Sequence, residues 1–455
     1  MNYDESVRSL LTLGRELGAP RQARLEKFGL NNIATLAEEL GSPHRAVRCA
    51  HIAGTNGKGS TAAMLESILR ASGLRTGLYT SPHLERVNER IGINGENISD
   101  AEFAATWTRV HASIEALMAS GKLGGHPTFF ECVTAIAFLA FAEHGVDFAV
   151  HEVGLGGRFD ATNIVQPEVA VITPIDFDHE NFLGHSIEEI AGEKAGIIKP
   201  DAWVVSSIER PEALDVIARR CIELGAQLVE VDKYWHVDRI ESLNGSYRAT
   251  VTNAHSQKSL RIEPALLGRF QIRNALTAAT AARILSQRGF PVTDESIAPG
   301  IATARWPGRL ERLSGSPAVY LDGTHNPAGA RELLSFWEEN FGDRRILLVY
   351  GAMRDKAVDE IAGLLFPRAD AVILTQPRQP RAVSASILAE MTNHFAKSSF
   401  VVSDPLEALD RALQMASPED AIFATGSLYL VGELRAHWGQ QKQAPTPAVS
   451  GQLHR

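Results

Sequence analysis

The segment that most constrains this chain is the glycine-rich run HIAGTNGKGST at residues 51–61. No bulky side chain stands between Gly54 and Gly59, so backbone N–H groups can close around an anion. Lys58 adds a mobile positive charge. Ser60 places a hydroxyl group where a helix is expected to begin, and the helix N-terminus adds a partial positive charge. The run therefore predicts a phosphate-binding loop between a strand and a helix.

The spacing of this loop differs from that of the standard phosphate-binding motif. That motif has a glycine five residues before its Gly-Lys pair and a serine or threonine directly after the lysine. Here Ile52 holds the first position, and Gly59 separates Lys58 from Ser60. The sequence thus predicts nucleotide binding by a variant class of loop.

Composition limits the classes of function. The chain has 455 residues, of which 44% are hydrophobic and 22% charged, as in a globular protein of two or three domains. A net charge of −9 gives no support to nucleic-acid binding and suits an anionic membrane surface poorly. We therefore expect small-molecule substrates as partners, with no nucleic acid and no membrane.

Cysteine usage and the N-terminus indicate the compartment. The three cysteines are too few and too widely spaced for a zinc site or a disulfide framework. The first residues, MNYDESVRSLL, lack the apolar region of a signal peptide, and the longest apolar stretch, at 132–142, is too short to span a bilayer. We expect a cytoplasmic protein that acts as a monomer.

Strand and helix patterns alternate along most of the chain, which predicts an α/β fold with parallel sheets covered on both sides. Residues 231–262 differ, and their spacing suggests a small antiparallel patch. Turn residues at 289–308 carry the signals of a domain boundary. We predict an N-terminal domain at 1–296, a smaller C-terminal domain at 297–440, and a disordered tail at 441–455. Strands are predicted at 47–53, 76–80, 146–153, 169–173, 318–321, 346–350, 371–374, 400–402 and 421–425.

Polar residues follow several of these strands, and ligands bind at the carboxyl ends of strands in open α/β sheets. In the first half they are the phosphate-binding loop, Ser81, Glu152 and His179. Two hydroxyl groups, a carboxylate and an imidazole could hold Mg²⁺ together with substrate phosphates and water. Spacing alone leaves an equal alternative, in which Glu152 and His179 make structural hydrogen bonds.

Lys194 lies on the apolar face of a predicted helix that begins after Ser186. It follows Ile187, Ile190 and Ala191 at helical spacing. Burial would lower the pKa of its amine and make it nucleophilic. The residues alone favour the alternative, a lysine that reaches water along its stem.

The second half repeats the pattern of a strand followed by a polar loop. Asp322 and His325 lie in the loop after strand 318–321, and Asn326 followed by Pro327 is typical of a helix start. Arg309 could reach a phosphate group, although an ordinary surface arginine is the more common case.

Six motifs together resemble the bacterial folylpolyglutamate synthase/dihydrofolate synthase family, a branch of the Mur ligase superfamily. The resemblance runs from about residue 45 to about 435. It implies a Mur-ligase-type phosphate-loop ATPase domain followed by a Rossmann-like domain, with ATP in the cleft between them. The motifs are HIAGTNGKGST, YTSPHLERVNERI, HEVGLGGRFDATNIV, DFDHENFLGHSIEEIAGEKAGIIK, WPGRLE and LDGTHNPAGA.

The resemblance implies ATP-dependent ligation of L-glutamate to folates, and to dihydropteroate. ATP would phosphorylate the terminal carboxylate of the substrate, and the amine of glutamate would attack the acyl phosphate. The alternatives are a folylpolyglutamate synthase without the second activity, and a Mur-type cell-wall ligase acting on a UDP-sugar peptide. A third is a nucleotide-binding switch that hydrolyses ATP only to change shape.

The resemblance also assigns roles to residues. The nucleotide would contact Gly54, Thr55, Asn56, Gly57, Lys58, Gly59, Ser60, Asn274, Arg309 and Asp322, with catalytic roles for Lys58, His179, Lys194 and His325. Ser60, Ser81, Glu152 and His179 would bind Mg²⁺, and a carbamylated Lys194 would help to hold a second ion. The substrate would contact Leu25, Glu26, Lys27 and Phe28, then Thr128, Phe129, Phe130 and Glu131, and finally Phe159, Asp160 and Ala161.

Overall fold

A computed structural model describes residues 1–13, 29–243, 245–313 and 315–443. It divides into two compact units, Met1–Pro307 and Gly308–Arg455. The boundary predicted between residues 296 and 297 lies instead inside a helix, Asp294–Thr303, and the division follows Pro307. The last helix continues to Gln443, so the first residues of the predicted disordered tail are helical.

The first unit is built on an eight-stranded sheet in the order β4-β3-β2-β5-β1-β6-β7-β8. The pairs from β2 to β8 are parallel, whereas β3 and β4 form an antiparallel edge. The strands are β1 (Arg48–Ala53), β2 (Thr76–Tyr79), β3 (Ile91–Ile93), β4 (Glu96–Asn97), β5 (Phe148–Glu152), β6 (Val169–Ile172), β7 (Trp203–Ser206) and β8 (Gln227–Glu230).

Helices flank this sheet along the chain. They are α1 (Tyr3–Thr12), α2 (Asn31–Glu39), α3 (Pro43–Ala46), α4 (Lys58–Ala71), α5 (Asp100–Ala119), α6 (Phe129–Glu143), α7 (Glu180–Leu183), α8 (Ile187–Lys194), α9 (Pro211–Leu224), α10 (Val231–Tyr234), α11 (Phe270–Gln287) and α12 (Asp294–Thr303). Single turns of 3₁₀ helix lie at Val87–Arg90, Ala161–Ile164 and Ala195–Ile197.

Alternate residues of the strands face two different cores. Ala50 and Ile52 of β1 pack with α4, α11 and α12, whereas Cys49 packs on the other face with the almost wholly apolar α6. Helix α4 is buried along most of its length, because α11 and α12 both lie against it. The sheet therefore lies between two packed layers, and the phosphate-binding loop follows β1 at its edge.

A small antiparallel sheet follows within the same unit, as the sequence predicted for residues 231–262. It consists of β9 (Trp235–Leu243), β10 (Ser246–Asn253) and β11 (Ser259–Ile262), with a register shift between Thr250 and Val251.

The second unit has a six-stranded sheet in the order β12-β13-β17-β14-β15-β16. Among the described strands of this sheet, β12 is the one that pairs antiparallel. The strands are β12 (Glu311–Leu313), β13 (Ala318–Leu321), β14 (Ile346–Tyr350), β15 (Ala371–Leu374), β16 (Ser399–Val401) and β17 (Ala421–Thr425). The helices are α13 (Pro327–Phe341), α14 (Val358–Leu365), α15 (Ala385–Thr392), α16 (Pro405–Met415) and α17 (Leu428–Gln443), with a 3₁₀ turn at Asn393–Phe395.

The α/β prediction is confirmed, but the sheets are not wholly parallel. Strands β13, β14, β15 and β17 have the predicted bounds, whereas the antiparallel β3, β4 and β12 had no sequence signal. Strands of two or three residues are too short to show alternation. Among the described residues, no helix has the length and apolar character needed to cross a bilayer.

Candidate active site

The phosphate-binding loop connects β1 to α4, as predicted. Gly54 and Gly57 have positive φ angles of 152° and 83°, and Gly57 is the residue that precedes the helix. A Cβ atom at Gly54 would collide with Thr173, and one at Gly57 would collide with the amide group of Asn274. Glycine is therefore required for the backbone angle and for the close approach of neighbouring groups.

The third loop glycine is required for a different reason. Gly59 has an ordinary helical φ angle, but a Cβ atom there would lie 2.5 Å from Cζ2 of Trp306. This explains why the residue that interrupts the standard motif is glycine, since the indole ring covers the first turn of α4.

The loop is fastened to the segment that follows β6. The N–H group of Thr55 donates to Pro174 O at 2.9 Å, and its hydroxyl group donates to Asp176 O at 3.0 Å. The N–H group of Asp176 donates in return to the Thr55 hydroxyl at 3.1 Å. These bonds restrain the loop backbone before any ligand binds.

Two lysine side chains converge on the carbonyl group of Gly54. Lys58 Nζ donates to it at 3.1 Å and also to Thr55 O at 3.1 Å, while Lys194 Nζ donates to it at 2.8 Å. Burial, and next the charge of Lys58, lowers the pKa of Lys194 to about 7. The loop therefore has beside it a buried amine, that of Lys194, which exchanges its proton near pH 7.

Lys194 is buried, with 3% of its surface exposed. It shares the buried face of α8 with Ile187, Ile190 and Ala191, as the helical spacing predicted. The alternative in which the side chain reaches water is therefore wrong, because the amine is enclosed and bonded to a backbone carbonyl.

The polar residues at the strand ends form a row along one edge of the sheet. Strands β2, β5, β1 and β6 are neighbours in that order, so Ser81, Glu152, the loop and His179 follow one another. The N–H group of Ser81 donates to Glu152 Oε2 at 3.1 Å, and Glu152 is buried. His179 has a positive φ angle of 52°, and its N–H group donates to Asp178 Oδ1 at 2.9 Å.

A chain of amides leads from Ser60 to Asn274. Gln271 Nε2 lies 3.4 Å from Ser60 Oγ, and Asn274 Nδ2 donates to Gln271 Oε1 at 2.9 Å. All three side chains are buried. Sequence reasoning missed Gln271 and Asp178 as site residues, because their contacts come from other elements of the fold and leave no local signal.

Thr128 and Glu131, assigned to the substrate by resemblance, form a capping box at the N-terminus of α6. The N–H group of Thr128 donates to Glu131 Oε2 at 2.8 Å, and that of Glu131 donates to Thr128 Oγ1 at 3.2 Å. Burial raises the pKa of Glu131. Phe129 is buried, and the ring centre of Phe130 lies 6.0 Å from the ring centre of Tyr79.

Asp160 organises the loop after β5. It is buried, and its Oδ2 accepts from the N–H groups of Gly154 at 2.8 Å and Leu155 at 3.1 Å. Burial raises its pKa despite these bonds. Phe159 is 45% exposed and Ala161 is buried. The remaining predicted substrate contacts, Leu25, Glu26, Lys27 and Phe28, lie outside the described residues.

In the second unit, Asp322 fastens the loop after β13. Its Oδ2 accepts from Leu310 N at 2.8 Å, and its Oδ1 accepts from Thr324 N at 3.0 Å. Arg309 Nη1 donates to Gly308 O at 3.2 Å, and a Cβ atom at Gly323 would collide with this guanidinium group.

His325 and Asn326 complete this loop. His325 Nδ1 donates to Gly323 O at 2.7 Å, and Asn326 caps α13 by accepting from Gly329 N at 2.8 Å, as predicted. Arg309, Asp322 and His325 therefore surround one glycine.

No group of three or more His, Cys, Asp or Glu residues that could hold a metal ion occurs in the described ranges. The predicted set of Ser60, Ser81, Glu152 and His179 contains one carboxylate and one imidazole, so it has no more than two residues of these types. Such a set suits an ion that takes most of its ligands from phosphate oxygens and water.

Family models match both units. The Mur ligase middle domain matches residues 52–282, and the Mur ligase glutamate ligase domain matches residues 308–428. A Bacillus subtilis protein named dihydrofolate synthase/folylpolyglutamate synthase is 38% identical over 412 residues, which cover 90% of this chain and 94% of the relative.

Two solved structures share the fold over nearly the whole chain. Mycobacterium tuberculosis folylpolyglutamate synthase, complexed with ADP and AMPPCP, has a TM-score of 0.86 and 33% identity, covering 95% of this chain and 99% of the other. Escherichia coli FolC, in complex with DHPP and ADP, has a TM-score of 0.84 and 29% identity, covering 97% and 99%.

Proposed function

The chain belongs to the dihydrofolate synthase/folylpolyglutamate synthase branch of the Mur ligase family, and from this premise we propose that it ligates L-glutamate to folates with ATP. The observation that carries the proposal is the variant phosphate-binding loop, with Lys58 and Lys194 converging on the Gly54 carbonyl. ATP use is supported by the ADP complexes of the two related structures.

In the proposed reaction, the γ-phosphoryl group of ATP passes to the terminal carboxylate of the folate. ADP leaves, and an acyl phosphate remains. The amine of L-glutamate then attacks the acyl carbon, and the tetrahedral intermediate expels inorganic phosphate as the amide bond forms. Phosphoryl transfer depends mainly on positioning and charge neutralisation. The fastened loop and Lys58 would supply both.

The nucleotide contacts outside the loop stay predictions. Asn274 lies against Gly57, which supports a role beside the phosphates. Arg309, Asp322 and His325 surround Gly323 in the second unit. A nucleotide that contacts one of these side chains would therefore lie close to the other two.

We propose that Ser60, Ser81, Glu152 and His179 hold Mg²⁺, which would neutralise charge on the phosphate oxygens. The buried Glu152 carboxylate fits this role, because it lies beside Ser81 at the edge where the loop opens. Structural hydrogen bonding by Glu152 and His179 stays the alternative. Selective loss of Mg²⁺ dependence in Glu152→Gln, without loss of folding, would favour the metal role.

Carbamylation of Lys194 also fits the site. Only a neutral amine attacks CO₂, and a pKa of about 7 leaves much of this amine neutral at physiological pH. Its nitrogen would bond to the carbon of CO₂ and lose a proton, which gives a carboxylate-like group that could help to hold a second Mg²⁺. The mass of the intact protein, measured in bicarbonate and in CO₂-free buffer, tests the modification.

On the substrate side, we propose that the pterin part of the folate lies near Thr128–Glu131 and Phe159–Ala161. The exposed ring of Phe159 supports a stacking contact, whereas Thr128, Glu131 and Asp160 already have structural partners. Dihydropteroate is the second proposed substrate, and the Leu25–Phe28 segment is assigned to it by resemblance alone. The cytoplasmic location and monomeric state also stay predictions, and the three free, buried cysteines fit a reducing compartment.

The deciding experiment measures ADP release with different acceptors. Tetrahydrofolate and dihydropteroate are tested side by side, each with and without L-glutamate, and a UDP-sugar peptide with its amino acid serves as the cell-wall control. We expect glutamate-dependent ADP release with both folate-pathway acceptors. Activity with tetrahydrofolate but not with dihydropteroate would show that the protein lacks the dihydrofolate synthase activity. ADP release independent of glutamate would favour a nucleotide switch.

A further inference from the structure

Arg90 is a buried cation that no acidic side chain within the described residues neutralises. It is 6% exposed and lies just before β3. Its Nε donates to His83 Nδ1 at 3.0 Å, and its Nη1 is buried without any hydrogen-bond partner. Among the described residues it forms no ion pair. Burying an unpaired charge is costly, so a ligand is a natural partner for it.

The contacts of Arg90 orient the guanidinium group but do not neutralise it. His83 Nδ1 accepts the Nε–H bond, so this ring nitrogen carries no proton and the imidazole supplies no negative charge to the guanidinium group. The guanidinium carbon lies 5.1 Å from the ring centre of Phe129, whose face attracts cations only weakly. The site therefore keeps a net positive charge and an unused donor.

Arg90 lies on the edge of the sheet where the reaction is proposed to occur. The N–H group of Thr80 donates to Arg90 O at 3.0 Å, which places Arg90 beside the carboxyl end of β2, next to Ser81. The N-terminus of α6 contributes Phe129 to the same cluster, and its helix dipole adds positive potential. An oxygen acceptor is the ligand group that this environment favours.

Arg90 also lies at a defined distance from the phosphate-binding loop. In the order β3-β2-β5-β1, three strand spacings separate it from the end of β1. At about 4.8 Å per spacing, the backbone separation is roughly 14 Å. Folates are elongated, with the reacting carboxylate at one end and a ring that carries a carbonyl oxygen at the other. This separation suits a substrate lying along the edge of the sheet.

We infer that Arg90 donates a hydrogen bond to the ring carbonyl oxygen of the folate, and that His83 holds the guanidinium group in position. The inference rests on the proposed folate ligase function and deepens it by naming a residue that recognises the ring. Arg90 acts on binding of the ring, so its loss should raise the KM for folate and leave the KM for ATP unchanged.

The test compares Arg90→Met with Arg86→Met. Arg86 belongs to the same segment, but it is exposed and forms an ion pair with Asp100, so it controls for loss of a nearby charge. Binding of tetrahydrofolate and of p-aminobenzoylglutamate, which lacks the ring, is measured by calorimetry. We expect Arg90→Met to weaken tetrahydrofolate binding about 10- to 100-fold, as for a lost hydrogen bond to a charged group, and to change p-aminobenzoylglutamate binding little.

Two further measurements keep the inference falsifiable. The melting temperature of the ligand-free Arg90→Met protein should be unchanged or higher, because an unpaired buried charge has been removed. Arg90→Lys keeps the charge without the planar fork, and it should lose less affinity than Arg90→Met. It serves as the test variant if Arg90→Met does not fold.

The outcomes separate the inference from the proposed function. If the wild-type protein binds tetrahydrofolate and the Arg90 variants bind it equally well, the inference fails while the function stands. Equal weakening of both ligands would also overturn it, because the contact would then not involve the ring. If the wild-type protein binds neither ligand, the proposed function fails, and the inference fails with it.

Discussion

Two lysines beside the phosphate-binding loop lie in different environments. Lys58 begins α4 and bonds to two loop carbonyls, whereas Lys194 is enclosed by the apolar residues of α8. The sequence predicted the position of each lysine from its own neighbours. It could not predict that both amines reach the carbonyl of Gly54, because 140 positions separate Lys194 from that glycine.

Lys58→Ala is expected to abolish ATP-dependent turnover and leave the fold intact. The change removes a charge beside the phosphates, and the loss should be at least about 100-fold, or about 3 kcal/mol. ADP release in the presence of folate and glutamate measures activity, and a thermal melt controls for folding. A variant with nearly normal ADP release would show that the loop does not hold the nucleotide.

Lys194 should make stability depend on pH. The pKa of Lys194 is about 7 in the folded protein and 10.5 ordinarily. Between these two pH values, the unfolded chain binds a proton that the folded protein does not. The free energy of unfolding therefore rises with pH in this window. Relative to Lys194→Met, the wild type should gain about 2 kcal/mol between pH 7 and pH 9.

Urea unfolding in CO₂-free buffer measures this difference, since carbamylation would change the charge of the group. A difference between wild type and Lys194→Met that stays constant with pH would mean that the amine keeps its ordinary pKa in the folded protein.

At the scale of elements, local sequence signals set where helices begin, and the surrounding residues decide which capping hydrogen bonds form. The capping box at Thr128 is complete, whereas at Ser186 only half of such a box forms. Ser186 Oγ accepts from the N–H group of Glu189, but the Glu189 carboxylate accepts from His185 N. Strands showed the same dependence, since the buried strands and the edge strand β16 were predicted to within one or two residues, whereas the antiparallel β3, β4 and β12 were missed.

Helix α4 offers a test of such contacts. Gly59→Ala would push a methyl group into Trp306, and we expect a loss of about 2 kcal/mol in stability together with a higher KM for ATP. Gly192→Ala in α8 is the matched control, because its Cβ would meet open space and should stabilise that helix by up to about 1 kcal/mol.

Urea unfolding measures both glycine variants. The combination of Gly59→Ala with Trp306→Ala should recover part of the loss, since the clash is removed. Purely additive effects in the double variant would mean that the indole ring does not explain the glycine.

At the scale of the molecule, each unit has a sheet with its own helices. In the second unit, the buried strands β14 and β17 contact α16, and β17 also contacts α17. A sheet covered by helices from its own sequence can form a core without further chain.

A fragment of residues 308–455 is therefore expected to fold by itself. Its circular dichroism should show mixed helix and strand content, and its thermal unfolding should be a single cooperative transition. A broad transition with binding of a hydrophobic dye would indicate that the unit depends on residues before Gly308.

The sequence alone determined the α/β class, most strand and helix positions, the phosphate-binding loop and the buried face of α8, because each has a local pattern of glycines, caps or periodic apolar residues. The tertiary structure decided which of these residues meet. Contacts such as Lys194 with Gly54, Trp306 with Gly59 and His83 with Arg90 join groups whose pairing follows from how the elements pack. The unpaired charge of Arg90 was invisible in the sequence for the same reason, since burial is a property of the folded chain.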